Sequence, residues 1–505
     1  MLCCSRSRYT IRHFRLICPE KAMSYLSTRM LSQLSYRKIL ILFVLTFYFL
    51  LLGYKLMRLG IHGDGVEYST VARNMADGLG TFWKPYLDDA IHPVFHEHPP
   101  LVFWIQSHFF RLFGDGPYLE TFYGFFIGFI ILGCMAWFWQ RIRQDFQLSP
   151  LGSWWPMLLI LPLPIFTYML QINRLVNTYV ILAMVPTYAA YRSVVGCKHT
   201  ILYSLLSGVL IYLGFIAKGP VAFFTFAVPA LAVLALKSKL SKAATSTVLA
   251  LVTFTIIFVA TLYLFPDSAD FWRGFLKHQV MASLKSVRGA GDTHWHLVER
   301  WAAEMVVPVL VVGFFMALTR VSFRQIRFSR QALFFLLIGL ASSLPFLIST
   351  RQHNRYIFHS FPFYVLSLAF MTDRIAVKIE AIIKDKPAMR LGVGVIAVVF
   401  FAVAFASMLY KKDYPQKRQP FYNDIYLQNI QLPERITISA CPEAMILNDW
   451  LFADMMRFYR VSLTPEMGNE YLLIAKDSGC EVPESYQEIN RQPRIKYILY
   501  QKSPP

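Results

Sequence analysis

Asp64 is the residue best placed in this sequence to act as a base. It lies in the run His62-Gly63-Asp64-Gly65-Val66-Glu67-Tyr68, directly after the first long apolar segment. We therefore expect its carboxylate where a membrane helix meets water, in position to take a proton from an acceptor hydroxyl. The alternative is structural: Asp is a preferred N-cap residue, and Asp64 can cap a helix that begins near Val66.

Cations at the predicted outer ends of apolar segments are the second candidate group. They are Arg174, Lys218, Arg351 and Arg355, the last followed by Tyr356. Ionisable groups at membrane depth are costly unless they serve a function. A phosphate would compensate them through charge-assisted hydrogen bonds, whereas the alternative is that each side chain snorkels to the interface by itself. Four such cations together with Asp64 favour a phosphate-bearing ligand.

The segment His96-Glu97-His98-Pro99-Pro100 adds further polar groups near the same boundary. The double proline forces an extended chain, and the aromatic residues that follow belong at a lipid interface. Most histidines fall on the predicted outer side, where neutral interfacial side chains are one interpretation. No dedicated zinc spacing occurs. A looser divalent-metal site between Glu97 and His278 is the alternative, so metal is optional.

The composition shows what kind of chain must position these residues. Of 505 residues, 56% are hydrophobic and 16% are charged, and the mean hydropathy is +0.43. Soluble domains are less apolar and more charged. The apolar residues fall in runs of roughly 17–22, which is the length that a membrane helix needs. These numbers exclude an ordinary soluble protein, a disordered chain and a disulfide-stapled secreted domain.

The sequence predicts an all-α polytopic membrane protein with about eleven transmembrane helices. We place them at roughly 38–59, 119–139, 152–172, 175–191, 201–217, 220–236, 245–265, 303–319, 332–349, 356–372 and 391–410. The segments between alternate spans are short and basic, as the positive-inside rule expects. This distribution, rather than a nucleic-acid partner, explains the net charge of +20. The N-terminus is accordingly predicted to be cytoplasmic.

Three regions flank or interrupt the predicted membrane domain 38–410. A basic cytoplasmic segment covers 1–37, long external loops cover 60–118 and 266–302, and an external tail covers 411–505. The first loop should contain amphipathic helices, one of them near Val66–Leu79. Short alternating stretches in the tail predict a small α+β domain, at Arg435–Ser439, Tyr471–Ala475 and Ile495–Tyr500. Cys441 and Cys480 are the two cysteines that share this tail, so one disulfide can form there.

At these residues the chain resembles the GT-C class of membrane glycosyltransferases, in the branch of protein O-mannosyltransferases and lipid A aminoarabinose transferases. The resemblance covers about 38–410. It rests on the following pieces, in order: Asp64-Gly65, Tyr68, Ala72-Arg73-Asn74-Met75, His98-Pro99-Pro100-Leu101 with Trp104, Ala217-Lys218-Gly219-Pro220, Asp270-Phe271-Trp272, and Arg355-Tyr356 before Phe361-Pro362.

The resemblance implies transfer of a sugar from a polyprenyl-phosphate carrier to an acceptor on the outer face of a bacterial inner membrane. Asp64 would then be the catalytic base, and Lys218 with Arg355-Tyr356 would hold the phosphate. Glu97 and His98 correspond to a Glu-Lys that contacts metal and phosphate. The acceptor can be lipid A, a glycan, a glycolipid or a protein hydroxyl.

Three positions depart from the family pattern. Gly65 replaces a Glu beside the catalytic Asp, so any role for a second carboxylate falls to Glu67 or is absent. His98 replaces the usual Lys, and an Asp common at the start of the fourth span is Asn173 or Asn177. These departures keep a catalytically silent binder of lipid carriers as an alternative. A transporter or flippase of lipid-linked sugars is another, although the two halves of the chain do not mirror each other.

Overall fold

The protein, described here as a computed structural model, is a helical membrane body with a small C-terminal mixed sheet. The described residues are 35–61, 63–195, 199–281, 295–348, 353–415, 432–441, 450–476, 479–489 and 497–503. Most of the predicted N-terminal segment lies outside them. The predicted fold class is confirmed, including the helices of the first external loop and the α+β tail.

Sixteen α-helices precede the tail in the described residues. They are α1 (Tyr36–Gly53), α2 (Asp64–Ala76), α3 (Leu101–Phe113), α4 (Leu119–Asp145), α5 (Trp154–Ile160), α6 (Pro164–Leu170), α7 (Leu175–Val194), α8 (Thr200–Lys218), α9 (Val228–Leu236), α10 (Leu240–Leu264), α11 (Pro266–Phe275), α12 (His296–Thr319), α13 (Arg330–Ser343), α14 (Phe361–Met371), α15 (Asp373–Asp385) and α16 (Pro387–Tyr410). Short 3-10 helical segments join several of them, among them Gly219–Ala227 and Asn354–Ser360.

Seven stretches of the described residues are long and apolar enough to cross a membrane, which makes this a multi-pass membrane protein. They are Tyr36–Gly53, Leu119–Asp145, Thr200–Leu236, Leu240–Leu264, His296–Thr319, Arg330–Leu347 and Pro387–Tyr410. The count of eleven spans stays a prediction. The predicted span 152–172 differs from the structure, because α5 ends at Ile160 and α6 begins at Pro164. Proline can begin a helix but cannot donate the hydrogen bond that continues one.

The helices divide into a buried group and a group whose apolar side chains face outward. α7 packs against α8 and is buried along nearly its whole length. α1 packs against α16, whereas α10 and α16 expose many large apolar side chains. Exposed apolar surface of this extent suits lipid rather than water. The start of α7 is therefore held by the interior of the bundle.

The tail folds into a five-stranded sheet with one helix. Its elements are β1 (Thr437–Ala440), α17 (Leu451–Tyr459), β2 (Ser462–Thr464), β3 (Tyr471–Ala475), β4 (Tyr486–Glu488) and β5 (Tyr497–Lys502), and the strand order is β2-β1-β3-β5-β4. β1 runs parallel to β2 and β3, and β5 runs antiparallel to β3 and β4. Cys441 and Cys480 form a disulfide with a Cα–Cα distance of 6.5 Å, as the sequence allowed.

Contacts between distant segments bring the first loop to the tail and the predicted inner segments to one another. α17 packs on α2. Arg37 at the start of α1 pairs with Glu380 of α15 at 3.1 Å, and Arg143 of α4 pairs with Asp373 at 3.2 Å. The basic segments predicted to be cytoplasmic thus meet at one end of the bundle.

Candidate active site

Asp64 is the first residue of α2, and its carboxylate forms an ion pair with the guanidinium of Arg174. Gly63 precedes the helix with a φ of +64°, and no side chain caps it. The capping interpretation of Asp64 is therefore wrong, because the carboxylate turns to Arg174 instead of to the backbone of α2. The Asp64 side chain is 33% exposed and the Arg174 side chain 10% exposed. This anion remains accessible while its cation is buried.

The start of α2 is fixed against the corner between α6 and α7 by close backbone packing. A Cβ at Gly65 would lie 2.1 Å from the carbonyl oxygen of Ile172, so only glycine fits there. Asn173 occupies the corner with a φ of +49°, a conformation that Asn adopts more readily than most residues. Its Nδ2 donates to the Gly65 carbonyl at 3.1 Å. Gln106 of α3 donates in turn to Asn173 Oδ1 at 3.0 Å.

Tyr68 joins Asp64 to His98. Its hydroxyl lies 3.4 Å from Asp64 Oδ2 and 2.8 Å from His98 Nε2. Burial, followed by the negative charges of Glu67 and Glu97, raises the pKa of Tyr68 well above its usual value. The phenol therefore stays protonated at neutral pH. His98, which stands where the resemblance has a phosphate-contacting Lys, contacts the site through this hydroxyl.

Three of the predicted phosphate-binding cations come together near Asp64. Lys218, at the end of α8, lies within electrostatic reach of Arg174 and Arg355. Burial, followed by repulsion from Arg355, lowers the pKa of Arg174 to about 10. Neither Lys218 nor Arg355 has a carboxylate partner in the described part of the chain. Three clustered cations with Asp64 as their one described carboxylate are costly unless an anion binds among them.

The guanidinium of Arg355 lies over the ring of the adjacent Tyr356, with Arg355 Cζ 5.8 Å from the ring centroid. A cation held on an aromatic face keeps its donors free for a further acceptor. Both residues belong to the segment Asn354–Ser360 that leads into α14. Arg351 lies outside the described residues.

Glu67 and Glu97 add acidic groups within electrostatic reach of Tyr68. Burial, followed by repulsion from Glu97 and Asp88, raises the pKa of Glu67 to about 8. Among the described residues Glu67 has no hydrogen bond or ion pair. The raised pKa favours the uncharged form of this side chain at neutral pH, and its role as acidic support stays a prediction.

The metal interpretation receives no support from the part of the chain that the structure describes. Within it, no group of three or more His, Cys, Asp or Glu side chains could hold an ion. The side chain of His278 lies outside the described residues, as does His62. The pairing of Glu97 with His278 therefore stays a prediction.

Several contacts of the site have no signal in the local sequence. The C-terminal domain reaches the start of α2, since a Cβ at Gly63 would lie 3.5 Å from both Trp450 Cζ2 and Arg174 Nη2. Farther along α2, Thr70 Oγ1 donates to the Ala453 carbonyl at 3.2 Å. Nothing in the composition around residue 450 indicates these contacts, because they join segments almost 400 residues apart. The predicted roles of the site residues stay predictions.

Comparison with known proteins identifies the fold. No protein-family model matches the chain, and no curated protein matches it in sequence. The crystal structure of ArnT from Cupriavidus metallidurans bound to undecaprenyl phosphate is similar, with a TM-score of 0.63 and 13% identity over 91% of this chain and 97% of that one. Its apo structure gives 0.60 and 14% over the same shares. The chain therefore has an ArnT-like GT-C fold, as the motifs predicted.

Proposed function

We propose that this chain, which has the ArnT-like GT-C fold, is a membrane glycosyltransferase that uses a polyprenyl-phosphate-linked sugar as donor. The observation that carries the proposal is the juxtaposition of the Asp64 carboxylate with the cations Arg174, Lys218 and Arg355. The ArnT structure with the same fold is bound to undecaprenyl phosphate. A lipid phosphate would supply the anionic partner that Lys218 and Arg355 lack among the described residues.

In the proposed reaction Asp64 takes the proton of an acceptor hydroxyl. The acceptor oxygen forms a bond to the anomeric carbon of the sugar while the bond between that carbon and the phosphate oxygen breaks. The electron pair of that bond leaves with the polyprenyl phosphate, whose growing charge Lys218 and Arg355 stabilise. A single displacement inverts the anomeric carbon, so one carboxylate is sufficient.

Arg174 has a different role in this proposal. A guanidinium beside a carboxyl group favours the carboxylate form, and the Asp64–Arg174 pair is also held by the packed start of α7. Arg174 therefore orients the base. The protonated hydroxyl of Tyr68 donates to the same oxygen, Asp64 Oδ2, at 3.4 Å.

The proposed setting is a bacterial inner membrane with the site on the periplasmic side. The first loop and the tail lie on one side, since α17 packs on α2. The basic segments gather at one end of the bundle through pairs such as Arg37–Glu380 and Arg143–Asp373. Under the positive-inside rule that end is cytoplasmic. The membrane part 38–410 then carries the chemistry, and the tail 411–505 is a periplasmic domain.

The test is sugar transfer by the purified protein in lipid nanodiscs. The donor is a polyprenyl-phosphate-linked sugar with a radiolabel, and the acceptor is an extract of envelope lipids and glycans. We expect transfer, and we expect Asp64→Asn to lower it by about 10²- to 10⁴-fold, the usual contribution of a general base. Asp385→Asn is the matched control, because this exposed carboxylate ends α15 and is not one of the candidate site residues.

Each other outcome points to a different function. Undiminished transfer by Asp64→Asn would remove this residue from the mechanism. Donor binding without transfer in any extract would indicate a non-catalytic binder, and movement of the labelled lipid across the bilayer of proteoliposomes would indicate a flippase.

A further inference from the structure

Glu304 is a buried carboxylate in α12, a helix that is long and apolar enough to cross a membrane. The residue is 8% exposed. An ionisable group within such a helix is costly, and where one occurs it usually faces the bundle interior and serves a function. The sugar transfer proposed above does not use this carboxylate. Its two oxygens contact two different segments of the chain.

The first contact of Glu304 is with the start of α6. The Ile165 amide donates to Glu304 Oε2 at 2.8 Å. This amide belongs to the first turn of the helix, where backbone N–H groups have no acceptor within the helix. α6 continues to Leu170, and Arg174 follows at the corner that begins α7. Glu304 therefore holds the helix that leads to Arg174.

The second contact of Glu304 is with the segment Asn354–Ser360. Asn354 Nδ2 donates to Glu304 Oε1 at 2.9 Å. The next residue is Arg355, whose guanidinium lies over the ring of Tyr356. Glu304 therefore also holds the start of the segment that carries a predicted phosphate-binding cation.

Apolar packing brings the same segments together but does not fix their spacing. α6 and α12 both pack on the segment Asn354–Ser360. The rings of Phe166 in α6 and Phe358 in that segment have centroids 6.2 Å apart. Burial of apolar surface is non-directional, whereas hydrogen bonds to an ionised acceptor are short and strong. The two bonds to Glu304 are thus the contacts that can set the distance between α6 and this segment.

The spacing matters because the two segments carry cations that repel each other. Arg174 and Arg355 lie within electrostatic reach of one another, and like charges separate unless their backbones are held. Arg300, one turn before Glu304, lies within electrostatic reach of this carboxylate and helps to balance its charge. We propose that Glu304 is a positioning residue, which sets the spacing between Arg174 and Arg355 by binding both of their segments.

This role rests on the proposed function, in which Arg174 orients the base and Arg355 stabilises the leaving phosphate. A single displacement needs the attacking oxygen and the leaving oxygen on opposite sides of the anomeric carbon. The base and the phosphate-binding cation must therefore keep a fixed separation. A misplacement of about 1 Å at this separation can lower the rate by about 10²-fold.

An exchange of hydrogen-bonding groups tests the proposal. Asn354→Asp places a second carboxylate against Glu304 Oε1, so the hydrogen bond is lost and the two segments are pushed apart. The double variant Asn354→Asp/Glu304→Gln restores one donor facing one acceptor, because the new amide can donate to the new carboxylate while its carbonyl accepts from Ile165. The double variant has the net charge of the wild type but keeps a negative charge beside Arg355.

The measurements use the full-length protein in nanodiscs. They are the affinity for radiolabelled polyprenyl phosphate, kcat and KM for sugar transfer, and the thermal unfolding midpoint. Asn354→Asp should weaken the affinity by about tenfold or more, as loss of a charge-assisted hydrogen bond does, and lower kcat by about 10²-fold. The KM for the acceptor should stay unchanged. The double variant should recover most of both losses.

Two controls on α12 separate positioning from a merely structural role. Val312→Ala removes buried volume from the same helix, two turns after Glu304, so it should lower the unfolding midpoint without changing the affinity for polyprenyl phosphate. Glu299→Gln removes an exposed carboxylate and should change neither quantity. A structural role would make Asn354→Asp behave as Val312→Ala does.

Four results would overturn the proposal. They are wild-type affinity in Asn354→Asp, a double variant as weak as Asn354→Asp, equal affinity losses in Asn354→Asp and Val312→Ala, and a wild-type protein that binds no polyprenyl phosphate. The second result would assign the loss to the negative charge beside Arg355 and not to the hydrogen bond with Glu304.

The binding measurement distinguishes failure here from failure of the proposed function. If the wild-type protein binds polyprenyl phosphate but transfers no sugar, the transferase proposal fails, whereas loss and recovery of affinity in the two variants would still support the positioning of Arg355. If the protein transfers sugar and Asn354→Asp changes neither affinity nor kcat, the positioning proposal fails by itself.

Discussion

Gly65→Ala tests whether the packing of α2 on the corner between α6 and α7 positions Asp64. The added Cβ would stand 2.1 Å from the carbonyl oxygen of Ile172, whereas ordinary contact begins at 3.4 Å. The two backbones must therefore separate by about 1.3 Å, which is 3.4 minus 2.1. Both contact atoms belong to the main chain or are fixed to it, so no side-chain rotation can absorb this movement.

The expected effect on activity is larger than the effect on stability. Overpacking lowers the free energy of unfolding by about 1–3 kcal/mol, and the higher helix propensity of alanine offsets up to about 1 kcal/mol of this loss. Displacement of a reacting group by about 1 Å can lower a rate by about 10²-fold. We expect Gly65→Ala to lower kcat by about that factor, because Asp64 precedes Gly65 directly and Arg174 follows the displaced corner by two residues.

The assay is the transfer reaction in nanodiscs, measured beside thermal unfolding of the same samples. Gly133→Ala is the matched control, because a Cβ at Gly133 in α4 meets no atom within 4 Å. It should leave both activity and the unfolding midpoint essentially unchanged. A Gly65→Ala protein with more than half of the wild-type kcat would refute the reasoning, as would equal losses in the two variants.

Two further predictions concern charges around the site. Burial raises the pKa of Glu67 to about 8, so between about pH 4.5 and pH 8 the unfolded chain releases this proton while the folded protein keeps it, and the free energy of unfolding should fall as pH rises. Glu67→Gln should remove this loss, on the order of 5 kcal/mol, and any decline of kcat/KM above pH 8. An unchanged pH profile would contradict this prediction. Arg457 pairs with Glu120 at 2.6 Å, and both side chains are 2% exposed. Arg457→Met should lower the free energy of unfolding by about 3–5 kcal/mol and make the tail more sensitive to proteolysis, because it leaves the buried Glu120 carboxylate without this partner. The double variant Arg457→Met/Glu120→Gln should recover most of the lost stability. Equal sensitivity of the single and double variants to proteolysis would contradict this prediction.

The local sequence pattern was sufficient to predict those elements of the fold that depend on residues close together in the sequence. Alternation predicted the strand Tyr471–Ala475 with the bounds that the structure has. The Lys218-Gly219-Pro220 break was also visible, and Gly219 adopts a φ of +74° there. Apolar length predicted membrane crossing, but it did not show that α5 and α6 would be separate helices.

Contacts between distant segments could not be predicted from one sequence. The preference of Asp for N-caps made capping by Asp64 plausible, but the carboxylate instead meets Arg174, a residue 110 positions later. The sequence also left open whether Cys441 and Cys480 form a disulfide, and in the structure they do. Each result depends on which surfaces pack together, and a local pattern contains no information about that choice.

The glycine at position 65 links packing to the charge of the site. The Ile172 carbonyl leaves no room for any side chain at position 65, so no acidic residue can stand directly beside Asp64 there. The pKa of Glu67, raised to about 8 by burial, makes this nearby acid less charged at neutral pH than an exposed carboxylate. Arg174, Lys218 and Arg355 lie within electrostatic reach of one another, and Asp64 is the carboxylate that pairs with Arg174. In the proposed reaction the negative charge that grows on the leaving phosphate would supply the anion that Lys218 and Arg355 lack among the described residues.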